Sequence, residues 1–170
     1  MNRRTLLQIL ALAASGVLHA KPSASKLDEK QQKILAELAE LILPRTDTPG
    51  AIDAGVPAFI DHIVSDWYTP TERSIFMEGL RVVAAADPGQ RVGALQSLEQ
   101  QAASYVPPPG TSVFGKPDER SPFFFKLKLL TVLGYYTSEV GSTTELAFNP
   151  VPGRYDGNVD FATLGKQWTS

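Results

Sequence analysis

The chain contains no cysteine. That excludes disulfides, thiolate ligation of iron–sulfur clusters and covalent haem attachment through a CxxCH motif. Histidine is almost as scarce, with His19 and His62 alone, so a metal cluster or a Ser-His-Asp triad would have to gather carboxylates around a single ring. No GxGxxG run occurs, which removes the dinucleotide fingerprint and makes a flavin site of the Rossmann kind untenable. Sixteen basic against eighteen acidic residues give a net charge of −2. Lys and Arg are nowhere concentrated, so no nucleic-acid face is expected.

Long apolar runs are missing as well. The stretch from Leu6 to Leu18 is mild and Ala-rich, and its 13 residues fall short of the roughly 20 that a membrane-spanning helix needs. Its setting fits an export signal. Asn2-Arg3-Arg4-Thr5-Leu6-Leu7-Gln8 resembles the twin-arginine motif, with Arg3 and Arg4 at its core. Asn2, Leu6 and Gln8 depart from the fuller pattern. The competing reading is a short amphipathic helix with a chance Arg pair. Cleavage after Ala20 would put Leu18 where a small residue is usual. It would also remove two arginines, leaving 14 basic and 18 acidic residues and a charge of −4. Residues 1–20 are therefore read as the signal and 21–170 as one domain, long enough to bury roughly 68–70% of its unfolded surface.

Helix punctuation recurs along that domain. Asp28 and Gln31 form a capping box for a helix to about Leu43 with Ile34, Leu35, Leu38, Leu41 and Ile42 as its apolar stripe. Pro44 stops it, and Thr48-Pro49-Gly50 turns the chain. Gly55-Val56-Pro57 opens a second helix to about Tyr68, carrying Phe59, Ile60, Ile63, Val64 and Trp67. A second box, Thr69 to Glu72, starts a third helix to about Ala86 with Ile75, Phe76, Leu80 and Val83. Asp87-Pro88-Gly89-Gln90 repeats the device ahead of a fourth helix to about Tyr105, with Val92, Leu95 and Leu98 facing inward. After a Pro-rich connection, Ser121-Pro122 caps a fifth helix, Phe123 to about Thr137, apolar on nearly every side. Such a helix is either central or partly covered by a partner. From Ser138 onward no period persists, and large side chains stand singly among turn residues. The expected fold is mainly α, an irregular bundle of about five helices with a long Pro-rich loop and an irregular C-terminal tail.

Three groups carry candidate chemistry. His62, after Asp61 and four residues before Asp66, could form an acid/base pair along one helix face. With no second imidazole or nucleophile motif, a half-exposed surface pair is preferred. Asp47 and Asp53 flank the Pro-Gly turn and could meet a cation, although such residues ordinarily cap turns and helix starts. The aromatics Phe123, Phe124, Phe125, Tyr135 and Tyr136 could form a hydrophobic docking face for a partner or a quinone, and Phe148, Tyr155 and Trp168 in the tail are further candidates for a partner interface. Core packing is the competing reading for the helix cluster.

Two blocks identify a family. LAELILPRTDTPGAIDAGVPAFID, Leu38 to Asp61, resembles the start of the gluconate 2-dehydrogenase subunit 3 family, the small subunit of membrane-associated flavin dehydrogenases. GYYTSEVGSTTELAFNPVPGRYDG, Gly134 to Gly157, resembles its second hallmark. The resemblance spans roughly residue 27 to the C-terminus. It implies a non-catalytic accessory subunit without a cofactor of its own, with FAD and haem in the partner subunits. The partners it implies are an FAD-dependent sugar or sugar-acid dehydrogenase, a multihaem cytochrome c and the twin-arginine translocon. The implied location is the periplasm, at the outer face of the inner membrane. The alternative is a free-standing periplasmic helical domain that binds a ligand or performs hydrolysis around His62 and nearby carboxylates.

Overall fold

A computed structural model describes residues 27–111 and 118–148, together with 153, 158, 160, 162 and 165–169. The 1–20 segment with Arg3 and Arg4, and Tyr155, lie outside the described residues, as do the side chains of Phe148 and Trp168.

Helix α1, Glu29–Ile42, begins at the expected box: the Gln31 amide donates to Asp28 Oδ1 at 2.8 Å and the Asp28 amide to Gln31 Oε1 at 3.0 Å. It buries Ile34, Leu35, Leu38 and Ala39. Leu41 is 47% exposed, because it stands about 90° round the helix from the middle of that stripe. The chain turns at Pro44 to Gly50 and re-enters through Gly55, whose φ of 72° is the left-handed region open to glycine. Helix α2, Val56–Asp66, follows.

Trp67 departs from its expected inward position and is 72% exposed. The helix has ended at Asp66, and the neighbouring Tyr68 takes the inner place, edge-on to Phe76 at 6.1 Å. Helix α3, Pro70–Ala85, starts at the second box, with the Glu72 amide donating to Thr69 Oγ1 at 3.3 Å and the Thr69 amide to Glu72 Oε2 at 3.0 Å.

The third expected cap differs. Pro88–Gln90 forms a 3-10 turn with no side-chain bond from Asp87, and α4, Arg91–Ala103, starts directly behind it. Gln90 rather than an Asp or Ser sits at its cap position, so the helix opens without a side-chain acceptor. Val92 is correspondingly exposed, while Leu95 is buried and Leu98 half-buried. Helix α5, Phe123–Tyr136, follows Pro122, again without a side-chain cap bond. After α5 the chain makes a π turn, Gly141–Glu145. It then forms the two-residue strand β1, Ala147–Phe148, which pairs in parallel with β2, Trp168–Thr169. Strands this short are invisible to a two-residue period.

Helix α5 touches all four other helices and is the axis of the bundle. Two rings seat it. Its Phe123 lies on Gly79 of α3, where an added Cβ would stand 2.1 Å from the ring, and its own Gly134 receives Phe59 of α2, where a Cβ would stand 2.7 Å away. Phe76 meets Phe123 edge-on at 5.2 Å, the preferred aromatic geometry. Among the described residues no helix is long and apolar enough to cross a membrane.

Two glycine substitutions separate helix propensity from packing. Gly79→Ala gains up to about 1 kcal/mol of helix propensity but drives a methyl into Phe123. Overpacking of this kind costs about 1–3 kcal/mol, so the variant loses stability in urea. At Gly93 of α4 an added Cβ meets nothing within 4 Å. Gly93→Ala is expected to gain about 0.5–1 kcal/mol in the same titration.

Candidate functional site

The corner between α1 and α2 is built from two carboxylates. Glu40 accepts the Arg45 amide at Oε1 and the Ile52 amide at Oε2, both at 2.9 Å. Asp53 accepts the Gly50 amide at 3.1 Å and Arg45 Nε at 2.8 Å, while Arg45 Nη2 lies 2.6 Å from its second oxygen. The Arg45 fork, helped by the Gly50 amide, holds the Asp53 carboxyl below the usual carboxylate range. Arg45 is therefore the cation that Asp53 meets, and its second duty is the turn cap. Asp47 is exposed. The corner is tied to the bundle axis by the Tyr135 hydroxyl, which donates to the Pro49 carbonyl at 2.8 Å.

His62 Nδ1 stands 2.9 Å from Asp66 Oδ2 on the solvent side of α2, with side-chain exposures of 58% and 30%. Asp61 turns the other way: it is buried, accepting Ser65 Oγ at 3.3 Å and Gln32 Nε2 at 3.4 Å. The two carboxylates next to His62 thus lie on opposite sides of the helix. None of the three lines the groove at Tyr68, Arg73 and Met77 or the one at Leu43, Pro49 and Tyr135. Among the described residues no group of three His, Asp or Glu is placed to hold a metal ion.

A polar group in the interior was not foreseen from the sequence. Lys126 is 4% exposed, with Nζ 3.4 Å from Glu72 Oε1, 3.4 Å from the Asp118 carbonyl and 5.2 Å from the Tyr68 ring centre. Glu72 thus caps α3 with one oxygen and meets the α5 ammonium with the other. Burial, and then the Glu72 charge, push the Tyr68 phenol up from its ordinary value. These contacts join α3, α5 and the end of the Pro-rich connection. Here Lys126 and Glu72 answer one another's charge inside the protein.

The aromatics expected at a partner interface divide. Phe123, Phe124 and Tyr135 are 5%, 7% and 3% exposed and belong to the core. Tyr136 is exposed, beside a groove of about 220 Å³ that Leu43, Pro44, Pro49 and Tyr135 also line. Phe125 and Tyr136 of that cluster are exposed and, with Leu129, form the outward strip of α5, with Val132 half-buried between them. A helix apolar all round announces that some side of it packs. The phase of the covered side depends on where its neighbours sit.

Two substitutions follow from this geometry. Asp53 has a lowered folded-state pKa, so its contribution is present above the unfolded carboxylate value and lost as pH falls through the folded one. Asp53→Asn should lower the melting temperature at pH 7. The difference from wild type should begin to shrink below about pH 4 and vanish at still lower pH. Lys126→Met leaves Glu72 buried without its ammonium and is expected to cost about 3–5 kcal/mol in denaturant unfolding. Combining it with Glu72→Gln should recover part of that loss.

Comparison with family models gives a match to the one described as gluconate 2-dehydrogenase subunit 3, over residues 29–153. It runs from the start of α1 to just beyond β1 and stops short of the C-terminus that the sequence resemblance reached. Neither the curated proteins nor the solved structures give a match.

Proposed function

Because the chain belongs to the gluconate 2-dehydrogenase subunit 3 family, we propose that it is the non-catalytic small subunit of a flavin-dependent sugar or sugar-acid dehydrogenase at the periplasmic face of the inner membrane. In this reading the chain stabilises the FAD-bearing subunit and escorts it, folded, through the twin-arginine translocon. A multihaem cytochrome c is the electron-accepting third component. The observation that carries the reading is the family match, which covers all five helices described above.

The chain's own residues contribute binding rather than bond making. The corner carboxylates are engaged by backbone amides and Arg45, and the buried ammonium is engaged by Glu72. Large apolar side chains, Phe125, Leu129, Tyr136 and Trp67 among them, stand exposed on the surface. Arg3 and Arg4 carry the export role, because the translocon reads an arginine pair as an address.

Replacing Arg3 and Arg4 together by Lys should hold this chain and the partner's dehydrogenase activity in the cytoplasm. Fractionated cells assayed for sugar-acid oxidation measure this directly. Full periplasmic activity in the variant would refute the escort role. Recovery of the tagged wild-type chain without yellow flavin absorbance or a haem band would refute the subunit role.

A further inference from the structure

We infer that α4 is a lid: it lifts from α3 and α5 as one unit, hinged at residues 86–90 and 104–111, while α1, α2, α3 and α5 stay folded.

Helix α4 is the least firmly held of the five. Eight of its thirteen residues are exposed and only Leu95 and Ala102 are buried, with Leu98 half-buried, whereas each of the other helices buries between four and eight residues. It starts without a side-chain cap and carries Gly93 in its first turn, so its own tendency to form is low. Its hydroxyl at Ser97 turns back on the Gly93 carbonyl at 2.9 Å. Among the described residues its polar link to another helix is one ion pair, Arg91 Nη1 with Glu37 Oε2 of α1. The Glu37 side chain is 52% exposed, and Arg91 Nε is buried with no hydrogen-bond partner. Exposure weakens such a pair, and the unmet donor offsets part of what it contributes. By contrast, α1 and α3 start at closed capping boxes, Arg73 fastens the end of α2, and α5 is surrounded.

Both flanks are suited to bending. Asp87, Pro88, Gly89 and Gln90 are exposed, and the amides of Ala86 and Gln90 donate to the nearby Val83 and Asp87 carbonyls. Beyond the helix, residues 106–110 are exposed, and the Thr111 amide and hydroxyl both donate to the Pro108 carbonyl, at 3.2 and 2.7 Å. Each flank thus bonds to its own neighbours. Tyr105, between helix and flank, rests on Phe125 of α5 with ring centres 6.2 Å apart. Few buried apolar contacts and exposed backbone mark the parts of a fold that open below the global unfolding energy. A detached helix of this length is marginal in water, so α4 unwinds as it lifts. The opened form uncovers Leu95, Leu98 and Ala102 and releases Phe125 from Tyr105, presenting an apolar surface that the closed form hides.

Native-state hydrogen exchange of the full-length chain, read by mass spectrometry at rising sub-denaturing urea, tests the lid. Corrected for intrinsic rates, residues 92–103 should exchange roughly tenfold or more faster than the buried parts of α1 and α5, with one shared urea dependence shallower than the global one. Ile60→Val, in the core of α2, should speed exchange in α1 and α5 roughly two- to tenfold. It should leave residues 92–103 unchanged, because its defect is present with the lid open or shut. Gly93→Ala should slow residues 92–103 roughly two- to fivefold, since it favours the helix only while the lid is shut. An Ile60→Val effect on residues 92–103 equal to that on α1 would show that α4 leaves only by global unfolding, and overturns the lid. Exchange of residues 92–103 that is independent of urea, or unmoved by Gly93→Ala, overturns it as well. The urea slopes come from the wild-type chain and decide the matter even where a variant does not fold.

Discussion

An all-apolar helix in water must be surrounded, and that requirement shapes the bundle. Helix α5 offers no carboxylate and few polar atoms, so its burial is favourable wherever a neighbour can reach it. Helices α1 to α4 all touch it. Phe123, Phe124, Leu127, Leu130 and Tyr135 account for the covered side, and Thr131 satisfies its buried hydroxyl on the Leu127 carbonyl at 2.8 Å. The charge that α5 does bury, Lys126, is tolerated because Glu72 and a carbonyl stand ready for it. Helices α1 to α4 cover one side of the axis and leave Phe125, Leu129 and Tyr136 exposed on the other.

The corner shows how a local device acquires a tertiary purpose. Pro44 and the Thr48-Pro49-Gly50 turn would bend any chain, yet here the bend is closed by Glu40, which reaches twelve residues along the chain to Ile52. It is then clipped to the axis through Tyr135 and Pro49. Arg73 performs a similar service at the end of α2, where its guanidinium donates to the Val64 carbonyl at 2.9 Å and to that of Ser65. Both devices satisfy carbonyls or amides that a helix end or turn leaves over.

What was legible in the sequence was what depends on neighbours three or four residues away. The boxes at Asp28 and Thr69 and the helix-opening Pro57 formed as written, because a cap needs only its own first turn. The cap at Asp87 did not form, since Pro88 and Gly89 were free to tighten into a 3-10 turn. Glu40, Lys126 and Arg73 escaped notice for a common reason: their partners lie five to twelve residues away across a turn, or 54 residues away for Lys126 and Glu72, and no helical spacing rule connects them. The outward strip was hidden differently. Composition shows that α5 is apolar everywhere, and only the placement of its neighbours separates Phe124, in the core, from Phe125, outside it. The family resemblance was legible because it is carried by two contiguous blocks, Leu38 to Asp61 and Gly134 to Gly157, that can be read without the fold.

The reciprocal seating of rings on glycines also governs how such a chain can change over time. At Gly79 the Phe123 ring occupies the space of a side chain, and at Gly134 the Phe59 ring does the same. A side chain at either glycine crowds its ring at a cost in stability, and neither ring can shrink without opening a void. Positions 79 and 123, and positions 59 and 134, are therefore free to drift only as pairs. In related sequences a larger residue at one member is expected to accompany a smaller one at the other, so that α5 keeps its depth in the bundle.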